Sequence, residues 1–598
     1  EAKEHEKRED IPEILSRKER KKKNKEAAKQ FEYTERSQNG EIDDMLRRRI
    51  KSARLRTVLT GIIMLVILYL ELSGKGSALY PTFLQPGRNG LLYILIDLQF
   101  LCFDGIIMRE GLLRGFVSLA KRKPTPESVM SVSLLLSAAY AVVTAFADPT
   151  AVTYGLISLP AAAAVFCCAL TDFLTAVKDA GCFRVIASQR PKYVAEKLRG
   201  TAREGTEFYK YLLDDSELYT VKRADFVDGF FDRTNRRPEG EDLFGFLIAI
   251  ILVAGIALSG LQLYLGKTVY EAFTAFSKLA AFAMPLSAFF IINLPVITAN
   301  IVARKSGSAL IGRAVGEEYA DASVISFADT EVYPANRVKI TSIKTYGDYR
   351  IDLIINDLAK VFSFVGGPLK QVTSNMLEGG ADSSYTSARL IESASDGICV
   401  VIDGKEMFLG KKSYLRRYRF ETPADAKDDR FEEAGGSVMF VTMNDMLIAK
   451  VYVRYRISEQ FNSLLRDMYR AGMCVGIKTV DPNITTALLE RTVRYKKCPI
   501  SILKAGEVGD VEGHTDRIDS GIVSTASLHT FLRMFIVCDK VRHVTRSNGF
   551  INILSIVLAF FVAFFLAFTG ELATVNSFYP VLFQLLWLLP IGVISFIL

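Results

Sequence analysis

Eight apolar stretches, each close to the roughly 20 residues that cross a hydrocarbon core as a helix, constrain this chain more than any other feature. They run Thr57 to Leu72, Leu91 to Met108, Val129 to Ala147, Val152 to Thr175, Leu243 to Leu265, Ala272 to Ile301, Ile551 to Thr569 and Phe578 to Leu598. They predict a multi-span α-helical membrane protein. With 74 basic and 66 acidic residues beside a 50% hydrophobic share, charged and apolar residues must be segregated along the chain. That excludes a soluble enzyme of uniform composition, a disordered polymer and a collagen-like fibre. The 8 Cys show no CxxC pair and only 4 His occur, against a disulfide framework or a zinc finger. A long charged arm precedes the first stretch, which is therefore expected to remain as a span and not to be cleaved as a signal peptide.

Basic residues set the expected orientation. Arg47, Arg48, Arg49, Lys51, Arg54 and Arg56 precede the first span, and Arg109, Arg114, Lys121, Arg122 and Lys123 follow the second. The alternate loops carry Lys75, Arg88 and Lys267. The expectation is an integral protein of the cell (plasma) membrane with both termini and the large loops cytosolic. Its units are a charged arm (1–53), four spans (54–178), a short loop (179–242), two spans (243–301), a large insertion (302–547) and two closing spans (548–598).

The lipid bilayer is the first partner. The basic cluster Arg17 to Lys25 reads as a solvated tail or as a contact with anionic headgroups. Another membrane or cytosolic protein, met through the arm or the cytosolic domain, is the further partner class. No nucleic-acid partner is expected, because neither a reading fold nor interleaved aromatics accompany the charges.

The large insertion reads as mixed α/β, with strands at Ser323–Phe327, Ile398–Ile402, Glu406–Leu409, Ser437–Thr442, Met446–Val453 and Met473–Ile477. Helical periodicity marks Ser458–Ala471 and Ile484–Arg494. Helix, strand and helix around Met473–Ile477 follow the grammar of a doubly wound sheet, whose ligands bind beyond the C-terminal strand ends. Thr479 and Asp481 then stand at a candidate site, or cap the next helix. In the membrane, Asp97 is a candidate polar contact inside the bundle, and Asp104 is expected to be solvated near the cytosolic end. Adjacent Cys167 and Cys168 point to different faces and are expected to pack.

These residues resemble the P-type cation-transporting ATPases. Without gaps, Ile325-Ser-Phe-Ala-Asp-Thr-Glu-Val-Tyr-Pro-Ala-Asn-Arg-Val-Lys-Ile340 lies on that family's phosphorylation signature, with Phe327, Thr330 and Asn336 matching. Met284, Pro285 and Pro295 fall where the family has its Pro-broken, ion-binding helix, and Thr479-Val480-Asp481 stands where Thr-Gly-Asp is usual. Gly397 to Leu415 resembles the nucleotide-domain hairpin of the heavy-metal branch, with Asp403-Gly404-Lys405 at its turn; Gly397, Gly410 and Lys411 become candidate nucleotide-binding residues by that resemblance. The order of four, two and two spans is also that branch's order. The resemblance implies a cytosolic HAD-like phosphorylation domain in 302–340 and 455–547, carrying a nucleotide-domain-like lobe in 341–454.

It also exposes what is missing. The family's pumps need a carboxylate to attack the γ-phosphate, with a neighbouring Lys and Mg²⁺ neutralising the developing charge. By the ungapped register the nucleophile's position is Ala328 and the Lys position is Asp329; sliding the register by one makes Asp329 the nucleophile but loses Thr330 and every later match. The Mg²⁺-holding hinge motif has no counterpart beyond Gly509-Asp510-Val511-Glu512, and the loop 179–242 has no Thr-Gly-Glu. There Arg233, Arg236 and Arg237 could bind an anionic group or form a solvated basic face. No catalytic residue is expected intact, no metal site is expected, and ATP with Mg²⁺ enters only under an alternative reading. The resulting expectation is a P-type-ATPase-like protein without catalysis, acting as a regulator, sensor or scaffold. The alternatives are an active cation or heavy-metal pump with atypical motifs, and a membrane-anchored nucleotide-binding module without turnover.

Overall fold

The computed structural model describes residues 32–73, 86, 88–149, 152, 155–199, 202–213, 215–377, 383–506, 511 and 513–597. Among the described residues, 8 helices are long and apolar enough to cross a membrane. The first group comprises α1 (Asn39–Ser73), α2 (Gly90–Ile107), α4 (Pro126–Ala147) and α5 (Ser158–Ile186). Between α2 and α4, a stretch read in the sequence as a basic loop forms a further helix, α3 (Arg109–Ala120). Its buried Gly111 and Gly115 let it approach α4 closely: a Cβ on Gly115 would stand 2.2 Å from the Ser131 hydroxyl.

The second group is α6 (Asp242–Tyr264) and a broken span. The span from Ala272 to Ile301, which the resemblance implies is broken at proline, is two helices, α7 (Val269–Ala283) and α8 (Asn293–Lys305). Met284, which precedes Pro285, is extended at φ −67, ψ 108, as the proline ring disfavours helix in the residue before it. A 3-10 turn, Leu286–Phe289, fills the break. Pro295 sits in the first turn of α8, where its missing N–H leaves no bond unmade. The last group is α9 (Leu528–Thr569), which runs from the α/β region into the bundle, and α10 (Phe578–Phe596).

Outside the bundle lie two sheets. The lobe sheet contains β5 (Val338–Thr345), β6 (Ala388–Ser393), β7 (Gly397–Ile402), β8 (Lys405–Gly410), β9 (Gly436–Met443) and β10 (Met446–Tyr455), in the order β5-β10-β9-β8-β7-β6. Every neighbouring pair is antiparallel. The core sheet contains β1 (Lys192–Leu198), β2 (Glu217–Asp228), β3 (Ser308–Leu310), β4 (Ala322–Ala328), β11 (Cys474–Thr479), β12 (Ile500–Lys504), β13 (His514–Asp519) and β14 (Ile522–Ser524). Its order is β12-β11-β4-β2-β1-β14-β3, with β13 also on β2.

In that order the segment 179–242 belongs to a larger sheet. Its two strands lie inside the core sheet: β2 runs parallel to β4, with Leu218 opposite Val324, Tyr219 opposite Ile325 and Thr220 opposite Ser326. β1 then pairs β2 along its whole length, from Lys192 opposite Ala224 to Leu198 opposite Leu218. The short helix Arg203–Glu207 between them is fastened across the sheet. Glu204 accepts from Ser326 of β4 at 2.7 Å and pairs with Lys478 of β11 at 3.2 Å; Glu207 accepts from Ser501 of β12 at 2.6 Å. Arg233, Arg236 and Arg237 are engaged in ion pairs with Glu318, Asp519, Glu241 and Asp242.

Candidate active site at the strand ends

The parallel strands β4 and β11 place Phe327 opposite Ile477 and Ala328 opposite Lys478. The residues that follow, Asp329 and Thr479, therefore leave the sheet side by side although 150 positions separate them. Sequence patterns of strand and turn on either side of the lobe thus converge on one sheet edge, as a doubly wound topology requires.

Ala328, Asp329 and Thr330 do not share one environment. Asp329 and Thr479 are both 0% exposed, and the Thr479 hydroxyl donates to Asp329 Oδ2 at 2.5 Å. Oδ1 has no hydrogen-bond partner. Gly367, at φ +78, brings its backbone so close that a Cβ there would lie 3.4 Å from Oδ2. Burial pushes the Asp329 carboxyl up to about 7; Thr479 opposes the rise, the Asp481 carboxyl adds to it and the Lys504 ammonium opposes it. Ala328 and Thr330 instead line a cavity of about 450 Å³ with Tyr193, Lys222 and Arg223 from β1 and β2. On that side Glu331 accepts from Arg223 at 2.6 Å and from Tyr193 at 2.7 Å.

Asp481 is not a helix cap. Its Oδ2 accepts from the Tyr455 hydroxyl at 2.7 Å and its Oδ1 from the Asn483 N–H at 2.9 Å. Lys504, at the end of β12, donates to the Asp481 carbonyl at 2.7 Å, and burial pulls its ammonium down to about 8. The helix Thr486–Thr492 is capped by Thr485 instead. From Asp481 the network continues into the lobe: Ser437 donates to Asn483 Oδ1 at 3.0 Å, and Lys411 donates to Ser437 at 2.6 Å and Glu432 at 2.7 Å. Lys411, Asp481, Thr479 and Asp329 are thus parts of one buried chain of polar groups. Tyr455, Asn483, Ser437 and Lys504 complete it; only Lys504, closing an apolar strand next to β11, carried a signal in the sequence.

The two glycines paired with Lys411 have a packing role. A Cβ on Gly397 would stand 2.0 Å from the Tyr414 ring, and one on Gly410 2.6 Å from the Asp396 carbonyl. Tyr414, 0% exposed, packs against both glycines. In the bundle, Asp97 accepts from the Ser158 hydroxyl of α5. Met284 is buried at the break, and Ser287 beside it donates to Asn552 of α9 at 2.6 Å. Asp104, expected to be solvated, is 0% exposed. Among the described residues, the one group of three or more Asp, Glu, His or Cys with converging ligand atoms is the exposed trio Asp225, His514 and Asp516, far from the broken helix in the chain. Asp510 and the basic cluster of the arm lie outside the described residues.

No protein-family model and no curated protein matches the chain. Among solved structures, one of a zinc-transporting PIB-type ATPase is similar at 12% identity and a TM-score of 0.47, over 91% of this chain and 99% of that one. Another structure of a zinc-transporting PIB-type ATPase, in a different state, is similar at 13% and 0.45, over 89% and 98%. The catalytic domain of a CPx-ATPase is similar at 14% and 0.23, over 34% of this chain and 69% of that one.

Proposed function

We propose that this protein is a P-type-ATPase-like integral membrane protein that forms no phosphoenzyme and acts as a regulator, sensor or scaffold, with both termini and the α/β region on the cytosolic side. The observation that carries the reading is β2. A strand of the first loop lies directly beside β4, and β1, β13 and β14 extend the same sheet from it. In the family it resembles, the first loop carries the actuator that hydrolyses the phosphoenzyme. Here that loop would have to break the ladders from β2 to β4 and β13 and from β1 to β14 before it could move. The supporting chemistry is that Ala328 has no nucleophile, while burial raises the Asp329 carboxyl to about 7 and so disfavours the charged form an attacking carboxylate needs. The basic residues flanking the first two spans support the orientation.

One observation favours a second reading, in which Asp329 is itself a phosphoacceptor of an atypical pump. Its carboxyl lies against Thr479 with Lys504 in electrostatic reach. The experiment is acid-stable, hydroxylamine-sensitive labelling of the purified protein from γ-labelled ATP across a panel of metal ions. We expect no label on the unmodified chain and none on Ala328→Asp, because losing even one charge-stabilising group costs about 3 to 4 kcal/mol of barrier and such groups act as a unit. Label on the unmodified chain that disappears in Asp329→Asn overturns the first reading in favour of the second.

A further inference from the structure

The first two spans hold carboxyls that phosphoryl transfer, intact or lost, does not use. Glu71 lies near the far end of α1, and Asp97 and Asp104 lie on α2. Asp97 and Asp104 are 0% exposed and Glu71 6%. Ser158 satisfies one oxygen of Asp97; the other oxygen, both of Asp104 and both of Glu71 have no hydrogen-bond partner. The Ser577 hydroxyl, itself buried, stands within polar reach of the Glu71 carboxyl. The approach there is tight: a Cβ on Gly155 would lie 3.5 Å from Glu71 Oε2 and 3.3 Å from Asn576 Oδ1.

The charges around these groups do not balance. Lys278 of α7 acts on Glu71, but its ammonium is held by the carbonyls of Ala573 at 2.6 Å and Val575 at 2.7 Å. Helices α1, α3, α4 and α5 pack against α2. Of the titratable side chains on these helices, among them Arg56, Tyr69 and Glu71, then Arg109, Glu110 and Arg114, then Glu127 and Tyr140, and finally Cys167, Cys168, Asp172, Lys178 and Asp179, none is hydrogen-bonded to Asp104. An isolated carboxylate in such surroundings costs several kcal/mol unless a cation sits on it. Asp97 and Asp104 share nearly one face of α2, about 10 Å apart along its axis, and Glu71 continues the series toward the far end.

We propose that Glu71, Asp97 and Asp104 form a track for protons through the first two spans, separate from the broken helix α7–α8. Each carboxyl takes a proton from water or from the preceding site and releases it to the next through water. No bond other than O–H forms or breaks, and the carboxyl returns to its starting state.

The test uses the purified full chain in liposomes with a trapped pH indicator and a potassium diffusion potential set by valinomycin. Acidification should exceed that of protein-free liposomes and fall at least fivefold in Asp97→Asn and in Asp104→Asn, while Asp429→Asn on the exposed lobe surface leaves it unchanged. Infrared spectra of the same samples guard against misfolded variants: the unmodified chain should show protonated-carboxyl bands at neutral pH, of which Glu71→Gln, Asp97→Asn and Asp104→Asn each remove one. Flux equal to that of empty liposomes, or absence of those bands, overturns the proposal. Loss of the bands on adding Zn²⁺ or Mg²⁺ at constant pH overturns the proton as cargo and assigns the track to a metal cation.

Discussion

The two sheets of the α/β region differ in how they are drawn from the chain. The lobe sheet comes from one stretch, 338–455, and its hairpins close at turns that need positive φ: Asp403 and Gly404 between β7 and β8, Asn444 and Asp445 between β9 and β10. The core sheet comes from three stretches, 192–228, 308–328 and 474–524, with the spans α6, α7 and α8 between the first two. The lobe can form its hydrogen bonds from local contacts. The core sheet cannot close until the membrane bundle has brought the first loop to β4, so its loop-closure cost falls on the whole molecule. Stability in this protein should accordingly be divided, the lobe standing alone and the core sheet depending on a loop that precedes it by two spans.

The largest effect should follow from breaking β2. Ala224 is 0% exposed, with Lys192 of β1 on one side and Thr515 of β13 on the other. Ala224→Pro removes a ladder donor from a strand paired on both edges and leaves an acceptor bare, a loss of about 2 to 4 kcal/mol or more. Limited proteolysis with mass spectrometry should then find 192–228 and 474–524 cut while a fragment near 338–455 survives. Equal protection of all three segments would mean that the core sheet does not need the first loop.

The same division governs what the sequence allowed to be read. In the lobe, β-branched and aromatic enrichment around Asp403-Gly404 identified β7 and β8 within a residue or two, because local composition and turn chemistry agree there. In the core, β4 and β11 were legible for the same reason, and so was their convergence. β1 and β2 were not: Lys197, Lys222 and Arg223 hide their alternation, since these charges are used in cross-strand or cross-loop pairs with Glu217, Glu196 and Glu331. The burial of Asp329 was illegible too. Its cover comes from Gly367 and Thr479, neither of which is near it in the chain. Asp104 escaped for the corresponding reason in the bundle, where position along a helix says less about water than the neighbouring helices do.

A smaller effect should sharpen what the core sheet buries. The folded Asp329 carboxyl is raised to about 7, whereas an unfolded one titrates near about 4. Between those values the folded state holds a proton that the unfolded state has released, so this group costs stability as pH rises through the window and no more above it. Asp329→Asn should flatten that fall and leave the variant more stable than the unmodified chain at pH 8, by roughly 2 to 4 kcal/mol. Thermal melts across pH read it as a difference between the two proteins. A variant less stable than the unmodified chain at pH 8 would mean that Asp329 is ionised and held by a cation, the state that the second functional reading requires.

The smallest effect concerns the clamp between first loop and core. Glu204 has only 5% of its side chain exposed; burial alone would raise its pKa, but the Ser326 hydroxyl and the Lys478 ammonium outweigh burial and lower it. A lowered carboxyl adds stability above its unfolded value of about 4.3 and loses it as pH falls through the folded one. Glu204→Gln keeps the shape and the hydroxyl bond but loses the charge pairing, which for a partly screened pair is worth about 1 kcal/mol. The loss should be local. Amide exchange in 203–211 should quicken about fivefold at neutral pH, with β7 to β9 unchanged, and the two proteins should converge as pH falls through the lowered titration of folded Glu204. Were exchange to quicken equally in the lobe, the two sheets would be opening as one unit, and the division drawn from their chain paths would fail where it is thinnest.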